Sequence, residues 1–137
     1  MALEDSEMLN GRTILVVEDQ AVLRETVVLQ LLGAGAVAVG CGSAEEMADR
    51  LAAGGCAPDL VLLDLTLPGR SGLEALRSLR SDLRWQALPV VIITADDDRQ
   101  AVDAALAAGC DAYLTKPVRM AQLIDACRRA VPGRAAA

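Results

Sequence analysis

Five short runs of aliphatic residues, each followed by a stretch with helical spacing, constrain this chain more than any other feature. The runs are TILVV (Thr13–Val17), AVAVG (Ala36–Gly40), DLVLLD (Asp59–Asp64), LPVVIITA (Leu88–Ala95) and DAYLT (Asp111–Thr115). A half-exposed strand alternates apolar and polar residues, whereas these runs are apolar almost throughout, which predicts strands buried on both faces. Only a parallel sheet covered by helices on each side buries them that way. Right-handed crossovers then give a three-layer α/β/α sandwich, a five-stranded parallel sheet for which we expect strand order 2-1-3-4-5.

The helical stretches carry their own start and stop signals. AVLRETVVLQLLGAG (residues 21–35) places Val22, Leu23, Val27 and Leu31 at helical spacing and ends in glycines. Ser43 with Glu46, and Ser71 with Glu74, are capping-box pairs that open the second and third helices. The fourth stretch, DDRQAVDAALAAG (residues 97–109), has acids at its N-terminus, where the macrodipole favours them. The fifth, RMAQLIDACRRAV (residues 119–131), is stopped by Pro132-Gly133. The expected domain spans residues 12–131, with a frayed extension at 1–11 and a tail at 132–137.

Composition narrows the function. The chain has 137 residues, one domain by length, and no Phe, so the core should be aliphatic. A net charge of −6 argues against a nucleic-acid or anionic-membrane surface. Cys41, Cys56, Cys110 and Cys127 form no C-x-x-C pair, and with no histidine they do not make a zinc site. The start MALEDSEML lacks the basic and apolar parts of a signal peptide, and no run reaches membrane-spanning length. We therefore expect a cytoplasmic protein with reduced, buried thiols.

In an open α/β sheet, ligands bind beyond the C-terminal ends of the strands, where strand order reverses. Strand one ends in Glu18-Asp19, strand three in Asp64, strand four in Thr94, and strand five in Thr115-Lys116-Pro117. Lys116 is the only lysine in a chain that otherwise uses arginine, which suggests a position needing a compact ammonium. Each of these residues alone is ordinary for a loop; their coincidence at one sheet edge is not. Clustered carboxylates repel unless a cation intervenes. Magnesium takes hard oxygen ligands and keeps open positions, so the edge reads as a Mg2+ cradle facing a phosphoryl group, with Asp64 as the central nucleophile.

Four segments in order, LVVEDQ, DLVLLDLTLPGRSGLE, VIITA and AYLTKPV, resemble the receiver domain of two-component response regulators, the CheY-like, flavodoxin-like fold. The resemblance covers about residues 12–131. It implies that Glu18 and Asp19 bind Mg2+, directly or through water, that Asp64 is the phospho-acceptor, and that the Thr66 backbone carbonyl joins the metal site. It implies that Thr94 is the switch hydroxyl, Tyr113 the rotameric aromatic, and Lys116 the contact to a phosphoryl oxygen. Pro117 would follow a cis Lys116–Pro117 bond, and Pro68 and Gly72 match loop residues. The implied partners are a histidine kinase or histidine phosphotransfer protein as donor and an unidentified output partner on the face formed by the fourth helix, fifth strand and fifth helix. No direct nucleic-acid or membrane contact is expected.

The departures from that pattern are mild. Val118 stands where the family often has Phe, and Thr66 and Asp96 occupy positions that tune acyl-phosphate lifetime. Two other classes stay open at this point. A phosphohydrolase of the haloacid dehalogenase type uses an aspartyl phosphate but looks for a second Asp two residues on, where this chain has Thr66. A receiver-like module that only binds partners would need none of these groups. NGRTILVVEDQ resembles the entry to receivers of hybrid kinases, while the start at Met1 favours a free-standing protein.

Overall fold

The computed structural model describes residues 8–55 and 57–131. The elements alternate: β1 (Thr13–Val17), α1 (Ala21–Gly33), β2 (Val37–Cys41), α2 (Ala44–Ala53), β3 (Leu60–Leu63), α3 (Gly72–Ser81), β4 (Val90–Thr94), α4 (Arg99–Ala107), β5 (Ala112–Thr115) and α5 (Met120–Ala130). All strand pairs are parallel, in the order β2-β1-β3-β4-β5. This is the expected three-layer sandwich. Cys56 and Pro132-Gly133 lie outside the described residues.

The sheet divides the core by the two-residue period of its strands. Leu15, Val17, Val61, Leu63, Val90 and Ile92 face α2, α3 and α4, joined by Met47, Leu76 and Leu79. Ile14, Val16, Leu60, Leu62 and Val91 face α1 and α5, joined by Val27, Leu31, Leu123 and Cys127. Burial on both faces holds for β1, β3 and β4 but not for the outer strands. Residues 37–40 of β2 and all of β5 stay partly or fully exposed. An edge strand has a neighbour on one side only, and apolar composition alone does not tell an edge from the centre.

Three local expectations change. Residues 8–11 are not frayed: Leu9 is buried among α1–α5 core residues, and its N–H donates to the Ala34 carbonyl at 2.9 Å. The few apolar residues of this polar extension have neither helical nor strand spacing and gave no periodic signal. Val22 has the expected spacing but is solvent-exposed, because it falls on the outer side of the first turn of α1. The acids before α4 act by capping, with Asp98 accepting from the Gln100 N–H at 3.0 Å; none lies in the first helical turn. The Ser43 and Ser71 caps form as expected, on the N–H groups of Glu46 and Glu74. Of the described cysteines, Cys41 and Cys127 are buried and Cys110 is partly so. Burial pushes the Cys127 thiol up to about 12, which keeps it protonated.

One arginine ties the far end of the sheet. Arg80, at the end of α3, donates to the carbonyls of Leu88 (2.7 Å) and Gly109 (2.8 and 3.0 Å) and to Asp111 (3.2 Å). Asp111 in turn accepts from the Val90 N–H at 2.8 Å, so α3, the start of β4 and the turn into β5 share one charge network. Arg80→Ala leaves these acceptors without their donor and should cost about 2 kcal/mol. The check is urea unfolding, with a lower midpoint at unchanged slope.

Candidate functional site

The last rungs of the sheet place the polar groups. The Glu18 N–H donates to the Cys41 carbonyl (2.9 Å), the Asp64 N–H to Val17 (3.1 Å), and the Lys116 N–H to Thr94 (2.8 Å). Each functional residue is thus the first residue past its strand, or the last one in it, fixed by its neighbour's backbone. Strand order reverses between β1 and β3, so Glu18 and Asp64 flank the crevice where this fold class binds ligands.

The burial pattern singles out the same spot. Among the described residues the buried polar side chains are Glu18, Asp64 and Thr94. Buried polar groups need partners, and these have them. The Lys116 ammonium donates to Glu18 Oε1 at 2.5 Å and to Asp64 Oδ2 at 2.8 Å. The second oxygen of each acid takes a backbone N–H two residues on: Thr66 to Asp64 Oδ1 at 2.9 Å, and Gln20 to Glu18 Oε2 at 3.2 Å. Thr94 Oγ1 accepts from the Asp96 N–H at 3.4 Å.

The electrostatics follow from this packing. Burial raises the Glu18 carboxyl above its ordinary value, opposed by its hydrogen bonds to Lys116 and Gln20. For Lys116, burial alone would lower the pKa, but the bonds to Asp64 and Glu18 outweigh it and hold the ammonium above its ordinary value. One oxygen from each of Glu18, Asp19 and Asp64 lies within 4.8 Å of the others. Three carboxylates against one ammonium leave two negative charges uncompensated, the charge of one divalent cation. Opposite corners of a magnesium octahedron are about 4.2 Å apart, so these donors match the ion in chemistry and nearly in spacing. Asp19 is exposed.

The remaining expected residues are placed as follows. Thr66 is exposed beside Asp64. Tyr113 is half-buried, and its hydroxyl donates to the Asp96 carbonyl, tying β5 to the loop before α4. Burial, then the charge of Asp96, raises its pKa and keeps it a neutral donor. The Lys116–Pro117 bond is cis. Pro68 is exposed, whereas Gly72 is buried.

Two contributions escaped the sequence reading. Arg24, on α1, donates to the Glu18 carbonyl at 2.7 Å and so holds the loop that carries both acids. Its stem lies across the end of β2, where a Cβ at Gly40 would sit 3.0 Å from Arg24 Cδ. The available signals were an arginine directly after three apolar residues at the helical start and a glycine inside a strand. The second is the role of Gly72. Its N–H donates to the Leu65 carbonyl at 3.0 Å, and a Cβ there would lie 2.1 Å from the Asp64 carbonyl oxygen. The start of α3 is therefore packed against the backbone of the acid itself.

A family model described as the response regulator receiver domain matches residues 14–128. The chain is 34% identical over 131 residues to the phosphate regulon transcriptional regulatory protein PhoB of Pseudomonas aeruginosa, covering 90% of this chain and 55% of that protein. It is 38% identical over 117 residues to the DNA-binding response regulator MtrA of Mycobacterium tuberculosis, covering 84% of this chain and 48% of that one. The chain thus spans about half the length of these curated relatives. A crystal structure of a response regulator receiver protein from Pseudomonas putida superposes with a TM-score of 0.78 at 32% identity, covering 86% of this chain and 96% of that one.

Because any side chain at position 72 collides with backbone rather than with a flexible side chain, Gly72→Ala should destabilise the domain by about 1–3 kcal/mol. Backbone amide and carbonyl NMR shifts of Asp64 and Leu65 should move with it. Wild-type stability of the Gly72→Ala variant would show that α3 can retreat without disturbing the acid.

Proposed function

The chain belongs to the response regulator receiver domain family, and from that premise we propose that it is a phospho-accepting switch of a two-component or phosphorelay system, with Asp64 as acceptor. The donor in this reading is a phosphohistidine on a histidine kinase or histidine phosphotransfer protein, since this chain has no histidine of its own. A carboxylate oxygen of Asp64 attacks phosphorus, the P–N bond breaks, and its electron pair leaves with the imidazole, which takes up a proton.

The protein's own groups position and neutralise. Glu18, Asp19, Asp64 and the Thr66 carbonyl would hold Mg2+, which supplies positive charge to the equatorial phosphoryl oxygens. Lys116 passes a hydrogen bond from Asp64 to a phosphoryl oxygen, with no need to move its stem far. The Thr94 hydroxyl turns to a second phosphoryl oxygen, Tyr113 gives up the Asp96 carbonyl and swings inward, and the α4–β5–α5 face changes for an output partner. Water later attacks phosphorus and releases inorganic phosphate, restoring Asp64, so the chain is a signalling switch rather than a turnover enzyme. The reading places it in the cytoplasm; no helix among the described residues is long and apolar enough to cross a membrane. Direct nucleic-acid contact by this segment forms no part of it, given the net charge of −6.

The observation that carries the proposal is Asp64: a buried carboxylate with one oxygen on Lys116 and its neighbours Glu18 and Asp19 set to share a cation. Incubation with acetyl phosphate and Mg2+ should add one hydroxylamine-labile phosphoryl group, read by intact mass. Chelation of the metal and Asp64→Asn should each abolish it, and Lys116→Ala should slow it about 10²-fold. Phosphorylation of Asp64→Asn at the wild-type rate would overturn the assignment. Steady hydrolysis of small phosphate esters would favour a phosphohydrolase instead.

A further inference from the structure

Directly beneath the acidic site, between the sheet and helices α1 and α5, lies a cavity of about 410 Å³. Its walls are aliphatic: Val16 and Leu62 from the sheet, Leu23 and Val27 from α1, Val118 and Leu123 from the start of the α5 segment. Its roof is Glu18, Asp64 and Lys116. The cavity is open to solvent at its mouth, unlike the closed voids that protein interiors rarely leave. It falls within the size range of small-molecule sites and is well above the roughly 150 Å³ that takes up benzene in a dry apolar cavity.

A second observation points to the same place. Leu23, Ile93 and Val118 pack against the α1–α5 core yet stay partly exposed, even though Ile93 lies on β4, next to the centre of the sheet. They are exposed because the space facing them is open. The chain has no Phe, and no aromatic side chain lines the opening.

We propose that this cavity is a binding site for an uncharged, mostly apolar small molecule of two or three fused rings, for which indole is a minimal probe. The walls supply apolar surface on opposite sides, and water held against them has few polar partners, so its displacement favours binding. Charge selects against anions, because the roof already carries more carboxylate than ammonium. It disfavours cations less, but a cation would compete with the groups that hold Lys116 in place. Gln30, at the α1 side, offers one neutral polar contact.

The roof is shared with the candidate phosphorylation site, so the ligand is placed to affect it. Replacing water under the roof by hydrocarbon strengthens the Lys116 contacts to Glu18 and Asp64. Those contacts belong to the unphosphorylated arrangement, so bound ligand should disfavour phosphoryl acceptance, and phosphorylation should in turn weaken ligand binding. This consequence rests on the switch reading above; the binding site does not.

Indole is the probe for the test, titrated into the full chain by NMR. Saturable shifts are expected, with nuclear Overhauser contacts from indole to methyl groups of Leu23, Ile93, Val118 and Leu123. Val118→Phe should place a ring inside the space, weaken indole at least about tenfold and leave urea stability equal or higher. Leu23→Phe does so from the opposite wall and serves if the first variant misfolds. No saturable binding, contacts elsewhere on the surface, or undiminished affinity in a folded filled variant would each overturn the site. A separate arm measures acetyl phosphate labelling with and without saturating indole. If the chain binds indole but never accepts phosphate, the switch reading fails and the cavity stands; if labelling proceeds but is unaffected by bound indole, the coupling alone fails.

Discussion

The Lys116 ammonium, lodged between Glu18 and Asp64, is the interaction on which the working edge of this molecule depends. It joins the ends of three strands, β5 to β1 and β3, across separations of 98 and 52 residues. Without it, two acids would share a pocket with no compensating charge, and one of them would be driven to take up a proton. With it, Asp64 keeps an oxygen at the mouth of the crevice and the site remains short of positive charge. A lysine serves here because a compact ammonium fits between two carboxylates that a planar guanidinium would have to push apart.

Around this contact the backbone does as much as the side chains. The final ladder hydrogen bonds set where Glu18, Asp64 and Lys116 emerge. Arg24 then fixes the β1–α1 loop through its carbonyl, and Gly72 lets α3 come down onto the peptide of Asp64. The backbone around the acids is therefore held by contacts from the neighbouring strands, from α1 and from α3. On the α1–α5 side the packing is less complete: short aliphatic side chains cover the sheet but do not fill the space under the roof.

Much of this was legible in the sequence, and the reason lies in distance along the chain. Apolar runs, capping serines and glycine stops act over a few residues, so they declare strands and helices directly. The rule that ligands gather at the strand ends of an open sheet then brought Glu18, Asp19, Asp64, Thr94 and Lys116 to one edge before any coordinate was known. What failed to show were features set by partners far away in sequence. Leu9 carries no periodic signal, yet it is core because Ala34 and α1 happen to lie over it. Val22 has the right spacing and faces water.

The sequence by itself determined the alternation of elements, the layered parallel sheet and the identity of the polar residues at its edge, because each follows from local pattern and general topology. Tertiary structure alone decided that Lys116 bridges two particular oxygens, that Gly72 has no room for a Cβ, that Arg24 grips Glu18, and that a cavity opens under the site. Those are questions of ångströms between segments distant in the chain, and residue types constrain such distances only after the backbone has closed on itself.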